Sequence, residues 1–387
     1  MFGVLFLFHA AVEKENEQMS KRIIMPALVA LSLVTGESAA APKLPDSQAA
    51  VAVQQLTLSD IQGHWANDAI QAAISKGIVD GYPDGTFKPD QGISRAEFIT
   101  LLSKALNKKT DASGDWFAPY VAGLQKDNIV YAGQFDDYNA PMTRLELATV
   151  ALRAVKEEFR VPEGAENADS SKIMYNAVGL GLIQGMSGGA LEPGGQTTRA
   201  QSTTIIERVL KLQQGEVLPT DAAAKELSEL AATGTNLRST KNVTPARRMP
   251  ITYDIPYGTM TIKEIIFIDT DKDSPFKWML DGAKRSGYYG LSDNFEHSYV
   301  FAYKLKFDIT SPAQVAIRIL DIFDMLGWDS VARSGIVGAV DNGKVYTFET
   351  YRIFVIDKAK ADKASAFIPY YQVGNESYPT VAESYDK

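Results

Sequence analysis

Three arginines carry the clearest chemical signal in this sequence. Each stands second in a tetrapeptide of one type: Ser94-Arg95-Ala96-Glu97, Thr143-Arg144-Leu145-Glu146 and Thr198-Arg199-Ala200-Gln201. A hydroxyl followed three residues later by Glu or Gln is a capping box. The hydroxyl takes the N–H of the third helical residue, and the Glu or Gln reaches back to the cap. Each tetrapeptide therefore predicts a helix start with arginine at the first helical position. A cation there opposes the helix dipole by about 0.3–1 kcal/mol at an exposed site. Three such placements suggest that the arginines are wanted for something else. A guanidinium beside unpaired N–H groups at a helix start suits a carboxylate or a phosphate. The competing reading pairs each arginine with an acid of its own loop, such as Asp84, Asp90 or Asp136, as surface ion pairs commonly do. Three arginines in register favour a ligand.

The helices that must hold these arginines repeat as well. Counting from each arginine, positions +3, +6, +7, +10 and +11 read Phe98, Leu101, Leu102, Ala105, Leu106, then Leu147, Val150, Ala151, Ala154, Val155, then Ser202, Ile205, Ile206, Val209, Leu210. That spacing puts one apolar stripe on each helix and predicts three helices packed on one another. Each is preceded by a further helix and a turn-rich loop, in units that begin at Leu58, Asp115 and Asp169. In the first loop, Gly81-Tyr82-Pro83-Asp84-Gly85-Thr86-Phe87, Pro83 presets φ and Asp84-Gly85 tolerates positive φ. Tyr82 or Trp65 beside a polar groove could stack on a sugar. For Trp65 alone, packing into a small core is the favoured role. His64 is expected to make a local hydrogen bond.

The segments DIQGHWANDAI, GIVDGYPDGTFKPD and ISRAEFITLL of the first unit resemble the S-layer homology motif, and the resemblance extends over residues 56–212 as three tandem motifs. It implies an all-α, three-pronged spindle around a central three-helix bundle. It also implies binding of secondary cell-wall polysaccharide, often bearing pyruvate ketals, in grooves between the prongs. The anionic sugar would meet Arg95, Arg144 and Arg199. Carried over by position, Trp65, its counterpart Trp116, and Gly81, Tyr82, Asp84 and Gly85 complete the expected site. Asp169 stands in the tryptophan's place in the third unit, and the loop becomes AGQFDDYN and GMSGGALEP in the second and third units. The first unit thus carries the fullest set. The resemblance places the protein outside the cell, on the wall or in a surface layer, with other surface-layer proteins or a second copy as further partners.

Composition agrees with that setting. Lys and Arg number 39 against 47 Asp and Glu, a net charge of -8, which opposes nucleic-acid binding. Cysteine is absent, so disulfides, zinc–thiolate sites and cysteine nucleophiles are excluded. Three histidines, His9, His64 and His297, argue against a multi-histidine metal centre. Lys21 and Arg22 precede a 12-residue apolar run, 23–34, and then Ser38-Ala39-Ala40-Ala41. These are the parts of a secretory signal, with cleavage expected after Ala40 and Met19 as the natural start. The run is short of the roughly 20 residues that cross a bilayer, so no membrane span is expected after cleavage. Residues 41–55 read as a linker, and 213–248 as a linker with a short helix in DAAAKELSELAA.

Residues 249–387 have a different texture and resemble no family. SYVFAYKLKFDI sets Tyr299, Phe301, Tyr303, Leu305, Phe307 and Ile309 on one face of a strand. TMTIKEIIFID and ASAFIPYYQVG are further strands, Asn342-Gly343 marks a hairpin, and PAQVAIRILDIFDML is helix-like. The expectation is a β-rich domain, sandwich-like or α+β. Asp269, Asp271 and Asp273 open like a calcium loop, but Ser274 and Leu280 stand where an EF-hand needs Gly and Glu. No cofactor is expected, with calcium near those aspartates as the lesser option. His297 lies between Glu296 and Ser298, which a strand turns to the opposite face, and no G-x-S-x-G elbow is present. The domain is expected to be non-catalytic and outward-facing. The alternative is a wall-tethered hydrolase of glycans or peptides.

Overall fold

The computed structural model describes residues 58–160, 169–255, 258–287, 290–292, 294–310, 323–325, 329–332, 346–362, 370–373 and 375–380. The signal and linker expected over 1–55, and the turn at Asn342-Gly343, lie outside them. Six helices come in pairs: α1 (Asn67–Ser75) with α2 (Arg95–Ala105), α3 (Ala118–Lys126) with α4 (Arg144–Val155), and α5 (Ser170–Gly179) with α6 (Arg199–Gln213). Ser94, Thr143 and Thr198 close capping boxes with Glu97, Glu146 and Gln201. The stripes of α2, α4 and α6 enter one apolar core, in which Phe98, Leu102, Leu147, Val150, Ile206 and Val209 are fully buried. Both α2 and α4 pack against α6.

Backbone closes the three units on one another just before these helices. The N–H of Ile93 donates to the carbonyl of Thr197 at 3.0 Å, Thr197 donates to Met142 at 3.0 Å, and Met142 donates back to Ile93 at 2.9 Å. All three residues are buried, so each bond is shielded from competing water. Short antiparallel bridges join Gly92 to Thr198, Ser94 to Pro141 and Thr143 to Gln196.

The C-terminal part is antiparallel β. Strands β1 (Ile251–Ile255), β2 (Gly258–Asp269), β3 (Lys284–Gly287), β4 (Gly290–Ser292), β5 (Ser298–Ile309), β6 (Phe323–Met325), β7 (Asp329–Ala332), β8 (Tyr346–Asp357), β9 (Tyr370–Val373) and β10 (Glu376–Pro379) form two sheets. One runs β1-β2-β5-β8-β7-β3-β4 and the other β10-β9-β6. The alternating residues of β5, from Tyr299 to Ile309, fall in one apolar cluster with Phe267, Phe354 and Tyr371 of β9. Val300 and Ala302 point the other way, into a cluster with Phe276 and Met279. Phe323–Met325, expected at the end of a helix, is instead a strand paired with β9. Its Phe-Asp-Met alternation suits an edge as well as it suits a helix end.

Residues 213–248 are not a free connector. Helix α7 (Ala222–Thr233) packs on α5, and its Leu227 and Leu230 lie against the β-sheet core. Strand β1 pairs with β2 only as far as Ile262. Beyond that, the edge of β2 is finished by the chain following α7. Ile265 donates to the carbonyl of Gly234 at 2.8 Å, and the fully buried Asn236 side chain bonds both the N–H (2.7 Å) and the carbonyl (2.8 Å) of Phe267. Gly234 has φ of 78°, and a Cβ there would lie 2.5 Å from Met249. The Asn236 amide also donates to the buried carboxylate of Glu226, which accepts from Ser274 as well.

Asn236→Ala should therefore lower stability by about 3 kcal/mol in urea unfolding, because it orphans buried backbone groups of β2 and Glu226 together. Burial raises the Glu226 carboxyl above its ordinary 4.5, outweighing the bonds from Ser274 and Asn236. A raised acid favours the folded state below its unfolded pKa and loses that contribution as pH rises through the folded one. Glu226→Gln should match wild type near pH 4 and become progressively more stable than wild type as pH climbs toward 7.

Candidate functional site

The helix starts do not offer free N–H groups. Arg95 and Ala96 donate theirs to the carbonyls of Ala140 and Tyr138, in the second unit's loop. Arg144 and Leu145 donate to Gly195 and Pro193 of the third, and Arg199 and Ala200 to Gln91 and Pro89 of the first. The next N–H is taken by the capping hydroxyl in each case. Expecting anion binding by backbone at these termini was wrong, because each unit's loop fills its neighbour's helix end.

The guanidiniums follow the same rotation, reaching the next unit and not their own loops. Arg95 donates to the carbonyl of Asp137 at 2.8 Å and pairs with Glu146 at 2.6 Å, with its Cζ 5.1 Å from the Phe135 ring centre. Arg199 donates to the carbonyl of Phe87 at 3.0 Å, stands 3.9 Å from Glu97, and lies over the rings of Tyr82 and Phe87. Each of these two arginines thus meets the capping glutamate of the following unit. The pairing with own-loop acids is therefore corrected too: Asp84 turns to Thr86 and Lys88, and Asp90 to His64.

Arg144 differs. The residue in the following unit that corresponds to Glu146 and Glu97 is Gln201, which has no charge to offer. Arg144 donates from Nε to the carbonyl of Leu191 (2.9 Å) and from one terminal nitrogen to that of Gln184 (3.0 Å). It is only 5% exposed, and burial lowers its pKa, with Glu192 acting weakly against that. Its neighbour Arg208, half-buried, donates to the carbonyl of Leu182 and is lowered by burial in the same way, with Glu207 acting against that. Both line a groove of about 300 Å³ whose other walls include Gln184, Gln201, Thr204 and Trp65. No carboxylate lines it. Dehydrated guanidiniums with no carboxylate within ion-pair distance attract an external one strongly, because their desolvation has already been met by the fold.

The sequence-predicted residues are therefore distributed among different grooves. Trp65, favoured as a core anchor, is 64% exposed and belongs with Arg144, across the repeat boundary. Trp116 is 57% exposed and stacks edge-on to Phe117. Gly81, Tyr82, Asp84 and Gly85 form the expected turn, with Gly85 at φ 79°, and that turn sits against Arg199 and not Arg95. Arg208 was missed, since position +9 of a helix carries no motif. Gln201 was read only as a cap. At the aspartate-rich turn, the Lys358 ammonium donates to both Asp269 and Asp271, and His297 Nδ1 stands 3.0 Å from Asp271. Among the described residues no three metal-ligating side chains converge, and none of the helices is long and apolar enough to cross a membrane.

Comparison with known proteins bears on the helical part. Residues 57–99 and 166–201 match the S-layer homology domain; the unit between them lies outside the matched segments. The chain is 30% identical over 179 residues to exoglucanase XynX of Acetivibrio thermocellus, covering 41% of this chain and 16% of that protein. It is 26% identical over 238 residues to an S-layer protein of Bacillus licheniformis (55% of this chain, 25% of the relative). It is also 26% identical over 241 residues to S-layer protein EA1 of Bacillus anthracis (55% and 26%). The chain thus spans about a quarter or less of these relatives' length.

Arg95 and Arg144 should separate in stability measurements. Burial alone would raise the Glu146 carboxyl, but the Arg95 hydrogen bond and the Thr143 cap bring it below 4.5. Arg95→Ala should destabilise by about 1–2 kcal/mol at pH 7. That loss should fade as pH falls through the lowered Glu146 pKa, because the pair contributes only while the carboxyl is ionised. Arg144→Ala, which removes a buried charge with no carboxylate partner, should cost less than about 1 kcal/mol.

Proposed function

Because this chain is an S-layer homology domain protein, we propose that it anchors itself to the cell wall by binding an anionic wall polysaccharide chiefly in the Arg144 groove. Its location is the wall or surface layer outside the membrane. The observation that carries the ligand reading is the burial of Arg144 beside Arg208 with no carboxylate in their groove. A sugar bearing a carboxylate, such as a pyruvate ketal, would complete the guanidinium's unfilled donors. The exposed indole of Trp65 offers an apolar face for the ring.

On this reading residues 56–212 are one binding module, a three-pronged spindle in which 115–155 is the middle motif. The capping-box and helix-start pattern shared by α2, α4 and α6 supports that. The β-rich domain, 249–387, serves as an outward structural or interaction surface, and surface-layer proteins or a second copy are its candidate partners. The exoglucanase relative is matched over only 16% of its length, so the shared part is taken as a module and not as a catalyst.

Co-sedimentation of the full chain with purified wall sacculi tests this. Wild type should pellet, and mild acid removal of ketals should release it. Arg144→Ala and Arg208→Ala should each weaken binding about tenfold, the scale of a lost charge-assisted contact. Gln201→Glu, which supplies the missing internal partner, should weaken it at least as much while leaving the fold intact. Wild type that stays in solution, or an Arg144→Ala chain that pellets equally, would overturn the proposal.

A further inference from the structure

A second concave surface lies away from the grooves, where the third helical unit meets the approach to the β-sheet. Two depressions, of about 730 and 390 Å³, share Tyr175 and Arg238 in their walls and so form one continuous trough. Six cations line it: Lys156, Lys172, Lys225, Arg238, Arg247 and Arg248. They come from separate elements, among them α5, α7, α8 (Leu237–Lys241) and the strap 244–249 that leads to β1. In a chain of net charge -8 this gathering of one sign is unexpected, since like charges brought together oppose folding.

The trough is not neutralised from within. Two carboxylates reach it, Glu158 and Glu229. Glu158 is 3.8 Å from Lys156. Glu229 is buried, and its two oxygens accept the backbone N–H groups of Arg238 (3.0 Å) and Ser239 (2.6 Å). Burial raises the pKa of the Tyr175 phenol, with Arg238 acting against that, and Arg247 turns to the hydroxyl of Tyr253 and the ring of Tyr378. Lys172, Lys225 and Arg248 stand within ion-pair distance of no carboxylate among the described residues. The half-buried ring of Tyr175 lies where the two depressions join.

We infer that this trough is a second polyanion site, taking a linear wall polymer with repeating phosphodiester or carboxylate charges. A single small anion would need its donors converged on one point. Here the cations are spread along a furrow, which fits charges repeated along a chain. The central aromatic ring gives the polymer's uncharged segments an apolar contact. Occupancy would tie the wall polymer to both halves of the molecule at once, and with the Arg144 groove filled the two attachments would reinforce each other through effective concentration.

The test measures binding of the full chain to two probes, poly(glycerol phosphate) and oligogalacturonate, at low ionic strength and across a salt series. At least one should bind, with affinity falling as salt rises. Whichever binds more tightly identifies phosphodiester or carboxylate as the charge recognised. The triple variant Lys172→Ala/Lys225→Ala/Arg248→Ala should raise the dissociation constant at least about tenfold. A charge-matched control, Lys76→Ala/Lys109→Ala/Lys126→Ala, should change it less than about twofold. Thermal unfolding checks that every variant folds. Binding of neither probe, or equal losses in the triple variant and its control, would each overturn the inference. Sedimentation with sacculi, read separately on Arg144→Ala, keeps the groove's fate distinct from the trough's.

Discussion

Each of the helix starts at Arg95, Arg144 and Arg199 has its first two N–H groups filled by carbonyls of the next unit in a closed cycle, and the Ile93–Thr197–Met142 triangle of backbone bonds locks that cycle at its centre. A helix end normally solves its own shortage of acceptors with caps or water. Here the solution is delegated: no unit can satisfy its terminus without the loop of another. That constraint explains why the three units share one core, why the loops are rich in turns that aim carbonyls inward, and why the arginines project across unit boundaries. Stacked units that cannot bury their faces alone are the general condition of repeat proteins. In this chain the dependence is circular and not linear.

The cycle also decides what an arginine at the first helical position can do. It is carried onto the neighbour's capping residue, so the identity of that cap sets the charge balance of the groove. Where the cap is Glu146 or Glu97, the guanidinium is neutralised inside the protein. Where it is Gln201, the capping geometry is unchanged, since an amide oxygen accepts from Thr198 N–H as a carboxylate does, but the guanidinium keeps its charge. A change of one atom type that is silent for helix capping is therefore decisive for electrostatics. Three arginines that look equivalent in sequence divide into two internal struts and one that lines a groove without a carboxylate.

Much of this architecture could be read from the residues. The capping boxes gave the helix starts because their pattern is local, and the five-position stripes gave the shared core because burial follows periodicity. The alternation of β5 likewise named its buried face. What could not be read was anything that depends on which unit touches which. The pairing of Arg199 with the Tyr82 turn spans 112 residues in its closest hydrogen bond, and Trp65 joins Arg144 from a different repeat. Sequence grouping assigned both to their own units. Asn236 was hidden for a related reason. A polar residue in a polar stretch reads as linker, and only the shortfall of β1 against β2 reveals that its amide substitutes for a missing strand.

That substitution gives the connector a mechanical meaning. Glu229 caps α8, Glu226 and Asn236 bond across to Ser274 and Phe267, and α7 lies between α5 and the sheet. A flexible tether would let the β-rich part move independently of the helical part. The buried hydrogen bonds instead bind the connector to the sheet, and a buried polar network that is fully satisfied tends to specify one arrangement. Four of the trough's six cations, Lys225, Arg238, Arg247 and Arg248, sit on this same connector and on the strap that follows it. The element that stiffens the molecule is thus also the one that concentrates its positive charge, while the acidic surplus is left to the remaining surface. Charge separation of this kind orients a protein on an anionic polymer before any specific contact forms, with the trough turned toward the polymer and the acidic surface away from it.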